Sequence, residues 1–301
     1  MASVEAAPRH KAGLAAVARL LRLRQWVKNG FVLAPLFFGV ELLNRQALSH
    51  AAAAFAIFCL VSSAIYIFND WRDIEADRSH VEKRHRPLAS GAVSLGTAAV
   101  LFAALAAMAA FIGFVAELPR GFYATLALYV LVNVAYSLGL KQVSLLELFL
   151  VASGFVLRVI AGGYATKIYL SPWILIATAM VALLLTVGKR RGDIAERNDV
   201  THSRRSLSQY NVAYLDLVLA ALTGGTLVVY LLYCVSDSAV QRFGPSVLLT
   251  SLPVGMGLLR YLQLVLVKNK GAAPTDLVVQ DPGLIAIVAI FIAMFGILIY
   301  F

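Results

Sequence analysis

Three aspartates and an asparagine stand close together in Asn69-Asp70-Trp71-Arg72-Asp73-Ile74-Glu75-Ala76-Asp77. On one helix, Asp70, Asp73 and Asp77 occupy i, i+3 and i+7, with Asn69 four residues before Asp73, so all four project towards one face. Like charges placed this way repel unless cations sit among them. Hard oxygen donors carrying this much charge suit Mg²⁺, which keeps some of its waters and bridges to substrate phosphates. The basic cluster Lys83-Arg84-His85-Arg86 follows, just before Pro87. Carboxylates for a metal beside cations for phosphate oxygens are the parts of a diphosphate site. The plainer alternative is a solvated, charged helix end.

The elements around the segment weigh against that alternative. The chain has 301 residues, 60% hydrophobic and 14% charged, far more apolar than a soluble domain of this length needs. Runs long enough to cross a bilayer as helices fall at about 27–43, 49–69, 93–116, 121–138, 144–164, 171–188, 212–234, 244–266 and 283–301. No series of ten-residue alternating segments suggests a β-barrel. The expected fold is an all-α polytopic membrane protein with nine transmembrane helices. The first run is interrupted by Lys28, Asn29, Pro35 and Gly39. The aspartates follow directly on the second.

Charge placement orients this bundle. Twenty of the 26 Lys and Arg lie in the N-terminal segment and in the loops after spans two, four, six and eight. The opposite loops hold Arg45, Arg120, Lys167 and Arg242. Basic residues gather on the cytoplasmic side, which places the N-terminus and the aspartates there. The net charge of +10 is explained by topology and by attraction to membrane lipids and phosphorylated substrates; no nucleic acid partner is expected. Residues 1–13 read as a flexible tail without a cleavable signal peptide, and 14–301 as a single integral membrane domain. Within it, Leu14, Val17, Ala18 and Leu21 recur at helical spacing among Arg19, Arg22 and Arg24, the pattern of an amphipathic helix lying on the membrane surface. Cys59 and Cys234 sit in apolar spans without a CxxC or neighbouring His and read as core residues.

Other charges lie in or beside spans. Lys28 and Asn29 follow Arg24-Gln25-Trp26-Val27, either as a head-group anchor or turned into the bundle at the depth of the aspartates. Glu147 and Arg158 fall eleven residues apart on one face of span five, next to Ala161-Gly162-Gly163, where small residues admit a close neighbour. Ionisable groups inside a membrane line a polar cavity or form a structural pair. Span six ends in Gly188-Lys189-Arg190-Arg191-Gly192-Asp193-Ile194-Ala195-Glu196, richer in cations than in carboxylates and so closer to a phosphate-binding surface than to a second metal site. Neither a nucleophile with a positioned base nor a His/Cys cluster is visible.

These segments carry a resemblance. The N-D-x-x-D-x-x-x-D of 69–77 and the nine spans resemble the UbiA superfamily of intramembrane prenyltransferases, and imply its helical bundle. Arg24-Gln25-Trp26-x-Lys28-Asn29, Lys83-Arg84-x-Arg86-Pro87, Leu157-Arg158-x-Ile160-Ala161-Gly162-Gly163, Ala165-Thr166-Lys167 and Gly188-Lys189-Arg190 are similar to its decaprenyl-phosphate phosphoribosyltransferase subgroup. The likeness runs from residue 20 to about 210. Superfamily members that use prenyl diphosphates generally carry a second D-x-x-x-D where this chain has Lys189 to Asp193. The departure agrees with the phosphoribosyl subgroup.

The resemblance implies a Mg²⁺-dependent transfer of 5-phosphoribose from 5-phosphoribosyl-1-diphosphate to a polyprenyl phosphate. The site would face the cytoplasm of a bacterial inner membrane, and the product would feed arabinose-containing cell-envelope glycans. Asn69, Asp70, Asp73 and Asp77 would hold the metal, and Asp73, Asp77 and Lys189 would be catalytic. Lys28, Asn69, Lys83, Arg84, Arg86, Glu147, Arg158, Arg190 and Asp193 would line the substrates. A homo-oligomer is compatible with the chain. Two alternatives remain open: an aromatic prenyltransferase, which would use Asp193 and Glu196 as its second acidic pair, and a transporter, which would place ionisable groups at the midplane of broken helices.

Overall fold

A computed structural model of the protein describes residues 13–79, 83–195, 205–268, 277 and 280–300. The expected tail therefore lies, apart from Gly13, outside the described residues, as does Glu196. All regular structure among the described residues is helical. Among the described residues seven helical stretches are long and apolar enough to cross a membrane: α3 (Arg45–Arg72), α5 (Leu95–Ala116), α6 (Arg120–Leu138), α7 (Leu146–Thr166), α8 (Pro172–Ala195), α9 (Val212–Cys234) and, after the short α10 (Asp237–Phe243), the composite Pro245–Val267, which contains α11 (Ser251–Leu262). The last helix, α12 (Pro282–Tyr300), has a shorter apolar stretch over Pro282–Leu298. Asp281 accepts the Leu284 amide at its start, and this bond with those from Arg260 holds the Asp281 carboxyl below the usual carboxylate range.

The run expected to span the membrane at 27–43 is not one helix. It forms an eleven-residue 3-10 helix, Leu23–Leu33, then the five-residue α2, Ala34–Phe38. Pro35 opens α2 and Gly39 ends it, and Val40 turns into the left-handed region at φ 62°.

The chain divides into two compact units. The first combines residues 1–29 with Phe55–Glu117, and thus holds α1 (Leu14–Leu21), most of α3, the short α4 (Ile74–Arg78) and α5. Its core joins Ala16 and Leu20 of α1 to Ile67, Ile74, Leu88, Val93 and Ala98. The buried side of α1 is therefore Ala16/Leu20, while Leu14 is 90% exposed. Asn29, fully buried, donates to Ser62 Oγ (3.2 Å) and Cys59 Sγ (3.3 Å), and Trp26 Nε1 donates to Ser63 Oγ at 3.0 Å. Of the two readings of this segment, inward turning is the one adopted. These bonds tie the segment to α3 about two turns before the aspartates.

The second unit, Gly30–Ala54 with Leu118–Phe301, holds the remaining helices. Leu148, Leu184, Val187, Leu215, Leu219 and Leu264 form its largest core. A second cluster packs Phe37 and Phe38 against Phe243, Phe291 and Phe295, with the Phe38 and Phe295 rings edge to face at 5.2 Å. Here the small-residue stretch of α7 has a definite neighbour. A Cβ on Gly162 would lie 2.0 Å from the Val32 carbonyl oxygen, so the backbones touch where only glycine fits. Gly162→Ala must push these backbones apart, and is expected to cost about 2–3 kcal/mol, measured as reversible unfolding in detergent.

Candidate active site

The expected single helix carrying Asn69, Asp70, Asp73 and Asp77 breaks at Asp73. Helix α3 stops at Arg72 and α4 starts at Ile74, with Asp73 between them at φ −92°, ψ 9°. This is the bridge region, common at active-site residues. Backbone bonds from the Asp73 amide to Asn69 O (3.0 Å) and from the Asp77 amide to Asp73 O (2.8 Å) nevertheless carry the helical spacing across the break. Asp70 and Asp77 are thus kept near each other. Both are buried, at 2% and 3% exposure.

Two arginines compensate them. Arg86 Nη1 donates to Asp77 Oδ2 at 2.7 Å and to Asp70 Oδ1 at 3.3 Å. The two carboxylate oxygens, bonded to one nitrogen at 2.7 and 3.3 Å, are therefore at most 6.0 Å apart. Arg22 Nη2 donates to Asp70 Oδ1 at 2.5 Å, with its guanidinium 4.6 Å from the centre of the Tyr66 ring. Arg22 itself ends α1 in the left-handed conformation, φ 52°. A long side chain held there points to a constraint worth its strain. The sequence reading missed this residue, because an arginine on an amphipathic helix is ordinarily a lipid-facing cation. Asn69, Asp73, Lys28 and Lys83 are half-buried, and Arg84 is exposed beside His85.

These residues fit a divalent cation by donor chemistry: three carboxylates and an amide oxygen within nine residues, with a guanidinium nitrogen already placed between two of the carboxylates. As they stand, no three acidic, His or Cys groups among the described residues gather around a metal-sized point. Asn69, Asp70, Asp73 and Asp77 would hold a bound metal, which would supply positive charge for phosphate oxygens beside Arg86.

The second unit has its own charged cluster. Glu147 is fully buried at the start of α7, and Arg190 of α8 embraces it, Nε at 2.7 and 3.0 Å and Nη2 at 2.6 Å. Arg190 also donates to Asp193 Oδ2 at 2.9 Å and to Tyr136 Oη at 3.4 Å. The partner of Glu147 is thus Arg190. Arg158, one face along α7, instead donates to Tyr129 Oη (2.7 Å) and the Gly154 carbonyl (2.8 Å), its guanidinium packed over the Tyr129 ring. The geometry favours a structural anchor over a phosphate contact. Tyr129→Phe should then lower stability by about 1–2 kcal/mol while leaving substrate KM unchanged in steady-state assays. Arg191 bonds Asp216 Oδ1 (3.2 Å) and the Val265 carbonyl (3.0 Å), so it also serves the bundle. Lys189, directly before the buried Arg190 and Arg191, is exposed. Beneath it, a Cβ on Gly188 would meet Tyr261 Oη at 2.1 Å, which explains the glycine in Gly188-Lys189-Arg190.

Comparison with known proteins gives this arrangement a family. The model of the UbiA prenyltransferase family matches residues 32–278. The chain belongs to this family. A protein named decaprenyl-phosphate phosphoribosyltransferase from Corynebacterium glutamicum is 35% identical over 87% of this chain and 80% of its own length. Its namesake from Mycolicibacterium smegmatis is 34% identical over 94% and 92%. Among solved structures, a UbiA homolog from Archaeoglobus fulgidus bound to DMAPP and Mg²⁺ shares the fold, with a TM-score of 0.65, 17% identity and coverage of 94% of this chain and 98% of that one. As a UbiA family member with seven apolar helices of spanning length, the chain is an integral membrane protein.

Proposed function

We propose that this UbiA family member transfers 5-phosphoribose from 5-phosphoribosyl-1-diphosphate to a polyprenyl phosphate, decaprenyl phosphate in its closest chemical form, releasing pyrophosphate. The observation that carries this reading is the 34–35% identity, over most of both chains, to proteins named for that transfer. In the second unit Asp193, one of the acidic pair that an aromatic prenyltransferase would use, is bonded to Arg190, which also holds Glu147.

Asn69, Asp70, Asp73 and Asp77 are the proposed holders of Mg²⁺, which when bound offsets the charge that develops on the departing diphosphate. Arg86 and Arg22 pair with the two buried carboxylates. Lys28, Lys83, Arg84 and Arg86 bind diphosphate oxygens, while Lys189 provides a cation for a phosphate. An oxygen of the lipid phosphate forms its bond to ribose C1 from the face opposite pyrophosphate as the C1–O bond breaks, inverting the centre. No general base is required, since the second pKa of a phosphate monoester is about 6 and the nucleophile is already anionic.

The finer membrane arrangement is part of the same proposal: nine crossings of a bacterial inner membrane, the two beyond the seven being the broken Leu23–Phe38 segment and α12. The N-terminus and the aspartates face the cytoplasm, where a soluble sugar diphosphate is made. Ser79→Cys should then resist a membrane-impermeant maleimide in intact cells, and Ser238→Cys should react. Function is tested with purified protein, labelled 5-phosphoribosyl-1-diphosphate and decaprenyl phosphate. Label is expected to enter the organic phase as lipid-linked phosphoribose, and chelation with EDTA to stop it; transfer that continues undiminished in EDTA would overturn the metal assignment.

A further inference from the structure

At the Thr166 end of α7 lies a cavity of about 450 Å³ that the transfer reaction does not use. It is about 28 Å along the helix from Glu147, nineteen residues at 1.5 Å each. The volume lies in the range of small-molecule sites. Lys167 and Arg242 contribute positive charge to its wall, and His50, Asn44, Gln46 and Tyr169 contribute polar atoms. The one carboxylate, Glu41, accepts a bond from Asn44 Nδ2 at 3.0 Å, so the wall carries an excess of one positive charge.

The side chains are held in place. Arg242 Nη2 donates to the Gly39 carbonyl at 2.7 Å, fixing the guanidinium against the wall with further donors left to offer. His50 Nδ1 lies 3.2 Å from the Ala165 carbonyl. A carbonyl only accepts, so Nδ1 carries the hydrogen and the bond fixes the ring in the wall. The backbone is strained at the same place: Val40 and Lys167, at φ 62° and 59°, are two of the five non-glycine residues with positive φ among the described residues. Glycine or asparagine would relieve Lys167; a lysine kept there supplies a charge that neither would. Tyr169 in the wall is 84% exposed, an amphipathic ring suited to the edge of a bilayer.

We infer that this cavity is a second anion site, separate from the transfer chemistry, which binds a phosphate group: the phosphodiester of an anionic phospholipid head group, or a free phosphate. Lys167 and Arg242 pair with the oxygens, and the amides of Asn44 and Gln46 complete the shell. In the topology proposed above this end faces away from the cytoplasm, but binding in detergent does not depend on that.

The test uses full-length protein in dodecyl maltoside, with native mass spectrometry and thermal unfolding as readouts, and phosphatidylglycerol, phosphatidylcholine and inorganic phosphate as separate probes. Lys167→Asn removes the charge and suits the left-handed backbone, and Gln46→Leu removes an amide donor. The first is expected to weaken binding about tenfold, the loss of one charge-assisted hydrogen bond, and the second about threefold, the loss of a neutral one, with unfolding of the unliganded protein unchanged. Variant-sensitive binding of phosphatidylglycerol alone identifies a lipid head group. The same sensitivity with inorganic phosphate, or its displacement of the lipid, identifies a free phosphate. Binding that is equal in wild type and both variants, or none of any probe, overturns the site.

Discussion

Asp77→Asn and Asp70→Asn are each expected to lower the transfer rate at least about 10³-fold, the scale on which a preorganised electrostatic contact acts in a transition state. The reason lies in the shared nitrogen. Arg86 Nη1 bonds both carboxylates, so removing either charge unbalances a buried group of two acids and two arginines and deletes one oxygen donor for the metal. The two effects separate experimentally. If these residues hold Mg²⁺, the variants remain folded and the Mg²⁺ concentration for half-maximal activity rises; if the aspartates only anchor Arg22 and Arg86, the Mg²⁺ dependence of the residual activity is unchanged. Asp73→Asn, at the helix break and half-buried, is expected to lose activity with little loss of stability.

The second large effect falls on stability. Arg190→Met leaves Glu147, with no exposed surface, without the guanidinium that now makes three contacts to it. Breaking a buried pair from one side costs about 3–5 kcal/mol, enough to unfold a marginal bundle. Glu147→Gln is expected to cost less, because Arg190 keeps Asp193 and Tyr136. The double variant Glu147→Leu/Arg190→Met should recover most of what Arg190→Met loses, a non-additivity readable in a double-mutant cycle of thermal unfolding. A double variant no more stable than Arg190→Met would mean that the pair is not the source of the loss.

The parts of the chain legible in sequence are those governed by local rules. Run length and hydropathy locate α3, α5 to α7, α9 and α12 to within a few residues, whereas α8 continues to Ala195, seven residues past the expected end at 188; charge spacing draws attention to 69–77. What escapes is set by neighbours distant in sequence. Spacing on α7 puts Glu147 and Arg158 on one face, yet their partners come from other helices: Arg190 lies 43 residues on from Glu147 and Tyr129 lies 29 before Arg158. Helical periodicity reports a face, never what covers it. Arg22 is a similar case, since its function depends on a left-handed turn that no residue type there announces. The breaks at 33–40 and at Asp73 are partly written in the sequence, in Pro35 and Gly39 for the first. The second has no such marker, and continuous helical spacing masks it.

The most direct measurement is a competition between two chemistries on one preparation in nanodiscs: 5-phosphoribosyl-1-diphosphate with decaprenyl phosphate against a polyprenyl diphosphate with 4-hydroxybenzoate, both with Mg²⁺. The account predicts lipid-linked phosphoribose from the first pair and no product from the second. Prenylated 4-hydroxybenzoate, with no phosphoribosyl lipid, would contradict it.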